Sequence, residues 1–268
     1  MSYKLGFIGG GNMASALING ILSNNLLKPD QIITSVATEK SKERLASRFG
    51  IITTTTNTEV AQNCETLILA VKPYMIATVI DEIKSSLSHN QVVISIASGV
   101  KLDMLSLELP NQRIYRAMPN TPASVSLGMT SICTQLPESE PTRQTVSDIF
   151  SAIGKIAWIN EKLMHAAIAV HGSSPAYAFI MMEAMADAAV LEGMPRDKAY
   201  TMAAQSLLGA AQMVLSSGLH PAVLKDQVTS PGGNTIEAIA ILEQEGFRSS
   251  IINAMRAAAQ KSRDMENE

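Results

Sequence analysis

The chain has 268 residues, of which 46% are hydrophobic and 17% charged, and its net charge is −3. This length suits one large or two ordinary domains, and the slightly acidic balance excludes the basic surfaces by which proteins bind nucleic acid or anionic membranes. Two cysteines without a CxxC spacing argue against a disulfide framework or a zinc site and favour a reducing, cytoplasmic location.

The first 160 residues alternate between short apolar runs and helical patterns. Strands are predicted at 4–8, 31–36, 51–54, 66–71, 91–97 and 113–117, and helices at 14–22, 39–49, 58–63 and 73–87. The apolar runs do not alternate with polar residues, as is typical of parallel strands covered on both faces. We therefore predict the α/β class, with a Rossmann-like doubly wound sheet over residues 1–160. Because the N-terminus leads directly into the first strand, no secretory signal is expected.

Residues 161–268 show helical patterns alone, at 176–192, 199–216, 235–243 and 251–261. Apolar residues surround most of each helix, which is typical of helices buried on several sides. A domain of about a hundred residues has little interior for such helices, so we predict an all-α dimerisation domain that intertwines with a second copy. A self-contained bundle with apolar surfaces is the alternative. Glu183 and Asp187 interrupt the most apolar stretch, and no membrane span is expected.

The turn after the first strand has the pattern Gly9-x-Gly11-x-x-Ala14, and a helix follows it. This is the context that a dinucleotide fingerprint requires, whereas the same glycines elsewhere would be an ordinary turn. Gly9 permits the tight turn, Gly11 lets the backbone approach a pyrophosphate, and Ala14 allows close packing of helix on strand. The pyrophosphate would lie at the helix N-terminus, where unpaired amides and the helix dipole favour negative charge.

The second strand has no acidic residue at its end, where NAD-specific folds bind the ribose 2′-hydroxyl. Instead the hydroxyls of Ser35, Thr38 and Ser41 lie near Lys40, Lys42 and Arg44 in the sequence. This set suits a 2′-phosphate and so favours NADPH, with NADH as the alternative. The same charges would also be expected on the solvated face of a helix.

Three further loops follow predicted strands, at the sheet edge where open α/β folds bind ligands. They are AVKP (70–73), IASG (96–99) and MPNTP (118–122). Each alone is an ordinary loop, and together they outline a crevice.

The segment PGGNT (231–235) places a flexible turn before a predicted helix. Bare glycine amides and the positive helix end would bind a carboxylate. The alternative is an ordinary helix start in which Asn234 or Thr235 is the N-cap. The histidines have no metal-ligand spacing, and we predict no metal site.

These segments together resemble pyrroline-5-carboxylate reductases over essentially the whole chain. The likeness lies in GFIGGGNM, AVKP, MPNTP, GSSPAYAF (172–179) and above all LKDQVTSPGGNT (224–235), followed by GFRSSIINA. The resemblance implies hydride transfer from NADPH, or NADH in some members, to the cyclic imine 1-pyrroline-5-carboxylate, which yields L-proline in the last step of its synthesis. It also implies a homodimer through the helical domain, with larger rings in many members.

The resemblance also implies site residues. The cofactor-binding set comprises Ile8, Gly9, Gly10, Gly11, Asn12, Met13, Asn57, Ala70, Val71, Lys72, Pro73, Ala97 and Asn120, to which the hydroxyl pattern above adds Thr38. Ser230, Gly232, Gly233, Asn234 and Thr235 would bind the substrate, with Thr235 and Ser230 in catalytic roles. The chain departs from many members at His171 and Asn234, which affects the detail of the substrate site.

Two other functions compete with this interpretation. Hydroxyacid dehydrogenases of the same plan use a lysine early in the helical domain, and residues 163–193 contain none. A non-catalytic NADP-binding regulator would need no imine site, so PGGNT argues against it.

Overall fold

The protein is described here by a computed structural model that covers residues 2–136 and 142–266. The chain folds into two compact units. The first comprises the described residues up to 172 together with 259–266, and the second comprises residues 173–258. The domains predicted at 1–160 and 161–268 stay a prediction, since compact units need not coincide with functional domains.

One sheet of eight strands forms the centre of the first unit. The strands are β1 Tyr3–Ile8, β2 Ile32–Ser35, β3 Ile52–Thr54, β4 Cys64–Leu69, β5 Val92–Ser95, β6 Arg113–Met118, β7 Gly128–Thr134 and β8 Gly154–Trp158. Their order is β3-β2-β1-β4-β5-β6-β7-β8. The first six are parallel, β7 is antiparallel to β6, and β8 is parallel to β7. The predicted Rossmann-like, doubly wound fold class is confirmed.

The register aligns the carboxyl ends of the central strands. Ile8 lies opposite both Ser35 on β2 and Leu69 on β4, and Leu69 lies opposite Ser95 on β5. The order of strands reverses between β1 and β4, and ligands of open α/β sheets bind at such a switch point. The register therefore brings the predicted loops 9–13, 70–73 and 96–99 to one edge.

Helices cover both faces of this sheet. They are α1 Asn12–Ser23, α2 Glu39–Phe49, α3 Asn57–Asn63, α4 Ile76–Ile83, α5 Leu102–Glu108, α6 Arg143–Ser151 and α7 Met164–Ala167. One buried core packs Leu17 of α1 and Phe150 of α6 against the sheet, and a second packs Val60, Ile80 and Leu105. Strands buried on both faces explain why their sequences are continuous apolar runs.

The second unit is helical, and strands are absent from residues 173–258, as the sequence predicted. Its helices are α8 Ser174–Leu191, α9 Arg196–Ser217, α10 Pro221–Val228, α11 Asn234–Gln244 and the first part of α12 Phe247–Asp264, which ends in the first unit. Large apolar side chains lie on its surface, with Phe179 61% and Leu191 87% exposed. Among the described residues, no helix combines the length and the apolar character that crossing a membrane requires.

Candidate active site

A cleft of about 730 Å³ opens at the carboxyl edge of the sheet. Twelve of the fourteen predicted cofactor residues line it: Ile8, Gly9, Gly10, Gly11, Asn12, Met13, Asn57, Ala70, Val71, Lys72, Pro73 and Ala97. Thr38 and Asn120 are not among the lining residues. Because the parallel strands end at one edge of the sheet, predicted residues as far apart in the chain as Ile8 and Ala97 line the same cleft.

The glycine turn between β1 and α1 has the geometry that a pyrophosphate needs. Gly9 has a φ of +103°, and a Cβ at this position would come within 2.6 Å of the Ala70 carbonyl oxygen, so a side chain cannot be accommodated. At Gly11 a Cβ would meet no atom within 4 Å and would instead occupy the cleft. Ala14 is fully buried, as close packing of helix on strand requires.

The amides of the first turn of α1 are available to an anion. Gly11 is the N-cap of the helix and makes no side-chain hydrogen bond to it. The first amides of a helix have no partner within the helix, and they carry the positive end of its dipole. The open space at Gly11 and the unpaired amides behind it therefore fit the pyrophosphate of a dinucleotide.

The end of β2 forms the part of the cleft expected to hold the adenosine ribose. The Ser35 hydroxyl donates to Asn57 Oδ1 over 2.7 Å, and Asn57 Nδ2 donates to Glu82 Oε2 over 2.8 Å. Ser41 and Arg44 also line the cleft. Within the described part of the chain Arg44 makes no ion pair or hydrogen bond, so its guanidinium remains available to a phosphate.

Thr38 has a different observed role, because its side chain caps α2. Its Oγ1 accepts from the Ser41 amide over 3.2 Å and donates to the Ser41 hydroxyl over 3.0 Å. Lys42 is paired with Glu39 at 3.0 Å. A contact from Thr38 to a cofactor stays a prediction.

Asn120 is buried and joins three segments of the first unit. Its Nδ2 donates to the His171 carbonyl over 2.8 Å, and its Oδ1 accepts from the Met129 amide over 2.8 Å. His171 lies in a π-helical turn, Ile168–Gly172, a local geometry that is frequent at functional sites. Asn120 therefore fixes the MPNTP loop, and its predicted proximity to a nicotinamide is not tested by these contacts.

The His171 imidazole is itself buried. Its Nε2 lies 2.8 Å from the Ser131 hydroxyl, and its Nδ1 has no partner among the described residues. Burial lowers the pKa of this imidazole, because the charged form loses its hydration. Burial therefore favours the neutral form of His171.

The PGGNT turn lies between α10 and α11 in the second unit. Gly232 has a φ of +67°, which favours glycine, and a Cβ on Gly233 would collide with the Ser230 hydroxyl. The Gly233 amide donates to the Ser230 carbonyl over 3.0 Å, which closes the turn. The backbone of this turn therefore favours glycine at 232, and a side chain at 233 would require the Ser230 hydroxyl to move.

Helix α11 begins at Asn234, one residue before the predicted start, and Gly233 is its N-cap without a side-chain hydrogen bond. The alternative in which Asn234 or Thr235 caps the helix is therefore wrong. Thr235 Oγ1 instead lies 3.4 Å from Asn234 Oδ1. The first-turn amides remain open to an anion, whereas the expectation that this turn meets the nucleotide cleft stays a prediction.

Sequence reasoning missed one buried charged group. Arg116 lies inside strand β6, and its side chain is 2% exposed. An arginine between buried hydrophobic residues is itself a signal, because a buried charge requires partners. Among residues 2–136 and 142–266, no group of three or more His, Cys, Asp and Glu side chains is arranged to hold a metal ion.

Comparison with known proteins extends over the whole chain. Residues 161–265 match a family model described as pyrroline-5-carboxylate reductase dimerisation, and residues 4–99 match one described as NADP oxidoreductase, coenzyme F420-dependent. The pyrroline-5-carboxylate reductase of Escherichia coli K12 is 46% identical over 263 residues, 98% of each chain.

Two solved structures have the same fold throughout. A pyrroline-5-carboxylate reductase from Coxiella burnetii superposes with a TM-score of 0.92 at 34% identity and covers 99% of both chains. The Plasmodium falciparum pyrroline carboxylate reductase, solved with NADP bound, has a TM-score of 0.88 at 33% identity over 98% of both chains. With this identity over its full length, the chain belongs to the pyrroline-5-carboxylate reductase family.

Proposed function

We infer that this protein catalyses the NAD(P)H-dependent reduction of 1-pyrroline-5-carboxylate to L-proline, the last step of proline biosynthesis. It is thus an oxidoreductase acting on a CH–NH group. The observation that carries this inference is the 46% identity to a reductase of that name over 98% of both chains. The uncapped turn at PGGNT supports it, because a purely nucleotide-binding regulator would not need a second anion site.

The cofactor half of the reaction is assigned to the cleft of the first unit. Residues 8–13 bind the pyrophosphate through backbone amides, and Asn57 contacts the adenosine ribose. Val71, Lys72 and Ala97 lie along the cofactor, and Asn120 lies near the nicotinamide. Three groups with hydrogen-bonding or charged side chains, Ser35, Ser41 and Arg44, line the cleft near the end of β2 and support a preference for NADPH over NADH.

The substrate half is assigned to the turn before α11. The amides of Gly232 and Asn234, with the Ser230 hydroxyl, hold the carboxylate at the positive helix end, and Gly233, whose own amide closes the turn, contributes the bare backbone beside it. The Thr235 hydroxyl oxygen accepts a hydrogen bond from the protonated ring nitrogen and orients the C=N bond. The bound dihydronicotinamide supplies a hydride to the imine carbon.

Proton transfer in this scheme requires no strong acid from the protein. A substrate that binds as the iminium already carries the proton on nitrogen, so hydride addition to carbon gives the neutral amine directly. The amine then takes up a proton from solvent. The contribution of the chain is therefore positioning, which accounts for a turn without histidine or carboxylate.

The exposed apolar surface of the second unit supports a homodimer through the helical domain. Phe179, Ile180 and Leu215 are each more than 60% exposed, and apolar surface on this scale marks protein interfaces. We extend this proposal to a larger ring of dimers and to a cytoplasmic location, which suits the two unpaired thiols.

Initial rates of NADPH and NADH oxidation with 1-pyrroline-5-carboxylate test the function. The proposal predicts turnover with both cofactors and a higher kcat/KM with NADPH. Binding of NADPH without turnover would support a regulator instead, and turnover with a hydroxyacid alone would support a dehydrogenase.

A further inference from the structure

A buried ion cluster adjoins the loop between β5 and α5, and the reaction does not use it directly. Arg116 Nη1 donates to Glu161 Oε1 over 2.9 Å, and Arg116 Nη2 donates to Glu266 Oε1 over 2.6 Å. The Lys101 ammonium lies 3.7 Å from Glu266 Oε2. The Arg116 and Glu266 side chains are only 2% and 5% exposed, so each charge depends on the others for its stability.

Glu266 comes from the segment after α12, at the far end of the chain. Its second carboxylate oxygen lies 3.2 Å from His165 Nε2, while His165 Nδ1 lies 3.0 Å from the Ser262 hydroxyl. The C-terminal segment is thus held in the first unit by contacts to β6, to α7 and to Lys101.

The same cluster holds the loop between β5 and α5, residues 96–101. Lys101 lies in this loop, and the Leu102 amide that follows it donates to Glu161 Oε1 over 2.9 Å. Gly99 has a φ of +78°, and a Cβ there would lie 3.4 Å from the Met265 carbonyl oxygen. The C-terminal segment therefore packs directly on the loop.

The opposite end of this loop forms part of the cofactor cleft. Ile96, Ala97 and Ser98 line the cleft, one to three residues before Gly99, which meets Met265, and three to five residues before Lys101, which meets Glu266. A short loop that is fixed at Gly99 and Lys101 has little freedom left at Ala97.

We propose that Glu266, acting through Arg116 and Lys101, is a positioning residue that holds the β5–α5 loop in its cofactor-binding conformation. Glu266 itself does not line the cleft. It lowers the entropy that the loop would otherwise lose on binding, so its removal weakens cofactor binding without altering the reacting groups. This inference rests on the proposed function only in that the cleft takes NADPH.

The test compares Glu266→Gln with wild type. The change preserves the size of the side chain and removes its charge. We expect the Kd of NADPH, titrated without substrate, to rise about 2- to 30-fold, the range in which mutations along a coupling network act. Hydrogen exchange of a peptide covering 96–101 should accelerate in the free protein, while peptides of α2 stay unchanged. Glu108→Gln, at an exposed site outside the cleft and the cluster, is the matched control and should behave as wild type.

A purely structural role predicts a different pattern. In that case Glu266→Gln would lower Tm while leaving both the NADPH Kd at 25 °C and the exchange of 96–101 unchanged, and this result would overturn the proposal. If Glu266→Gln does not fold, Lys101→Met decides, because Glu266 is the partner that Lys101 has in the described chain. An unchanged Kd in that folded variant would equally reject the proposal.

These measurements are separate from the test of the proposed function. A wild-type protein that binds NADPH but does not reduce 1-pyrroline-5-carboxylate would refute the function, whereas the ratio of Kd values would still report on the loop.

Discussion

Gly11 lies where the glycine turn meets the N-terminus of α1, and replacing it by alanine should separate cofactor binding from folding. Its φ of −75° and ψ of −170° are accessible to alanine, and the added Cβ meets no protein atom within 4 Å. Replacing glycine by alanine at an N-cap lowers the stability by about 1 kcal/mol, and the reduced entropy of the unfolded chain raises it by about 0.4–1 kcal/mol. Gly11→Ala should therefore shift Tm by no more than about 2–4 °C.

The effect on binding should be much larger. The methyl group occupies the space in which the pyrophosphate approaches the backbone. Displacing the pyrophosphate from two amides removes two charge-assisted hydrogen bonds, each of about 1.5–3 kcal/mol. The loss of about 3–6 kcal/mol corresponds to a roughly 10²- to 10⁴-fold increase in the Kd of NADPH.

Gly9→Ala and Gly209→Ala provide the comparison. At Gly9 the Cβ would collide with the Ala70 carbonyl at a φ of +103°, so this variant should lose stability as well as binding. At Gly209, inside α9, the Cβ also meets nothing within 4 Å, and the Kd should be unchanged. Fluorescence titration with NADPH and thermal melts measure both quantities. A Gly11→Ala protein with wild-type affinity would refute the assignment of the turn to the pyrophosphate.

Four further outcomes follow from the same structure. Arg44→Ala should lower the kcat/KM ratio of NADPH over NADH by about tenfold or more, the value of one charge-assisted bond, and an unchanged ratio would exclude a 2′-phosphate contact. Thr235→Ala should reduce kcat far more than it weakens NADPH binding, and equal losses in kinetics and titration would contradict its place at the imine. Burial lowers the pKa of His171, so the unfolded chain binds more protons than the folded one, and stability is lost as the pH falls below about 6.5. Between pH 7.5 and 5.5 the Tm of His171→Gln should therefore fall less than that of wild type. Parallel plots of Tm against pH for the two proteins would count against this. Burial raises the pKa of Cys64 and Cys133 to about 12; neither should react with iodoacetamide at pH 8 before unfolding, and mass spectrometry of the native protein would detect the opposite.

Much of the first unit follows from local sequence. Six apolar runs predicted six parallel strands with boundaries correct to within two residues, because strands buried on both faces must be apolar throughout. The family resemblance is confirmed by relatives that span the chain. The glycine turn was predictable because Gly9 and Gly11 each meet a local steric requirement that the sequence displays.

Strands β7 and β8 were not predicted, and their composition explains why. Strand β7 contains Thr130 and Ser131, which are buried despite their hydroxyls, and β8 is only partly buried. The Ser131 hydroxyl is stabilised by His171, which lies 40 positions away in the chain. Local hydrophobicity therefore gives no signal there.

The partners of Arg116 could not be predicted for a related reason. Arg116 and Glu266 are separated by 150 positions, and nothing near either residue indicates the other. Such a pair depends on the folded topology alone. The hydrogen bond by which Asn120 joins the MPNTP loop to His171 likewise depends on the tertiary fold and could not be predicted from local sequence.

Transfer of deuterium from NADPH labelled at nicotinamide C4 tests the reductase activity most directly. Each of the two C4 stereoisomers is incubated with the protein and 1-pyrroline-5-carboxylate, and the proline is analysed by mass spectrometry. Direct transfer predicts one deuterium at C5 of proline from one stereoisomer and none from the other. Proline without deuterium from both isomers, or no proline at all, would contradict the account.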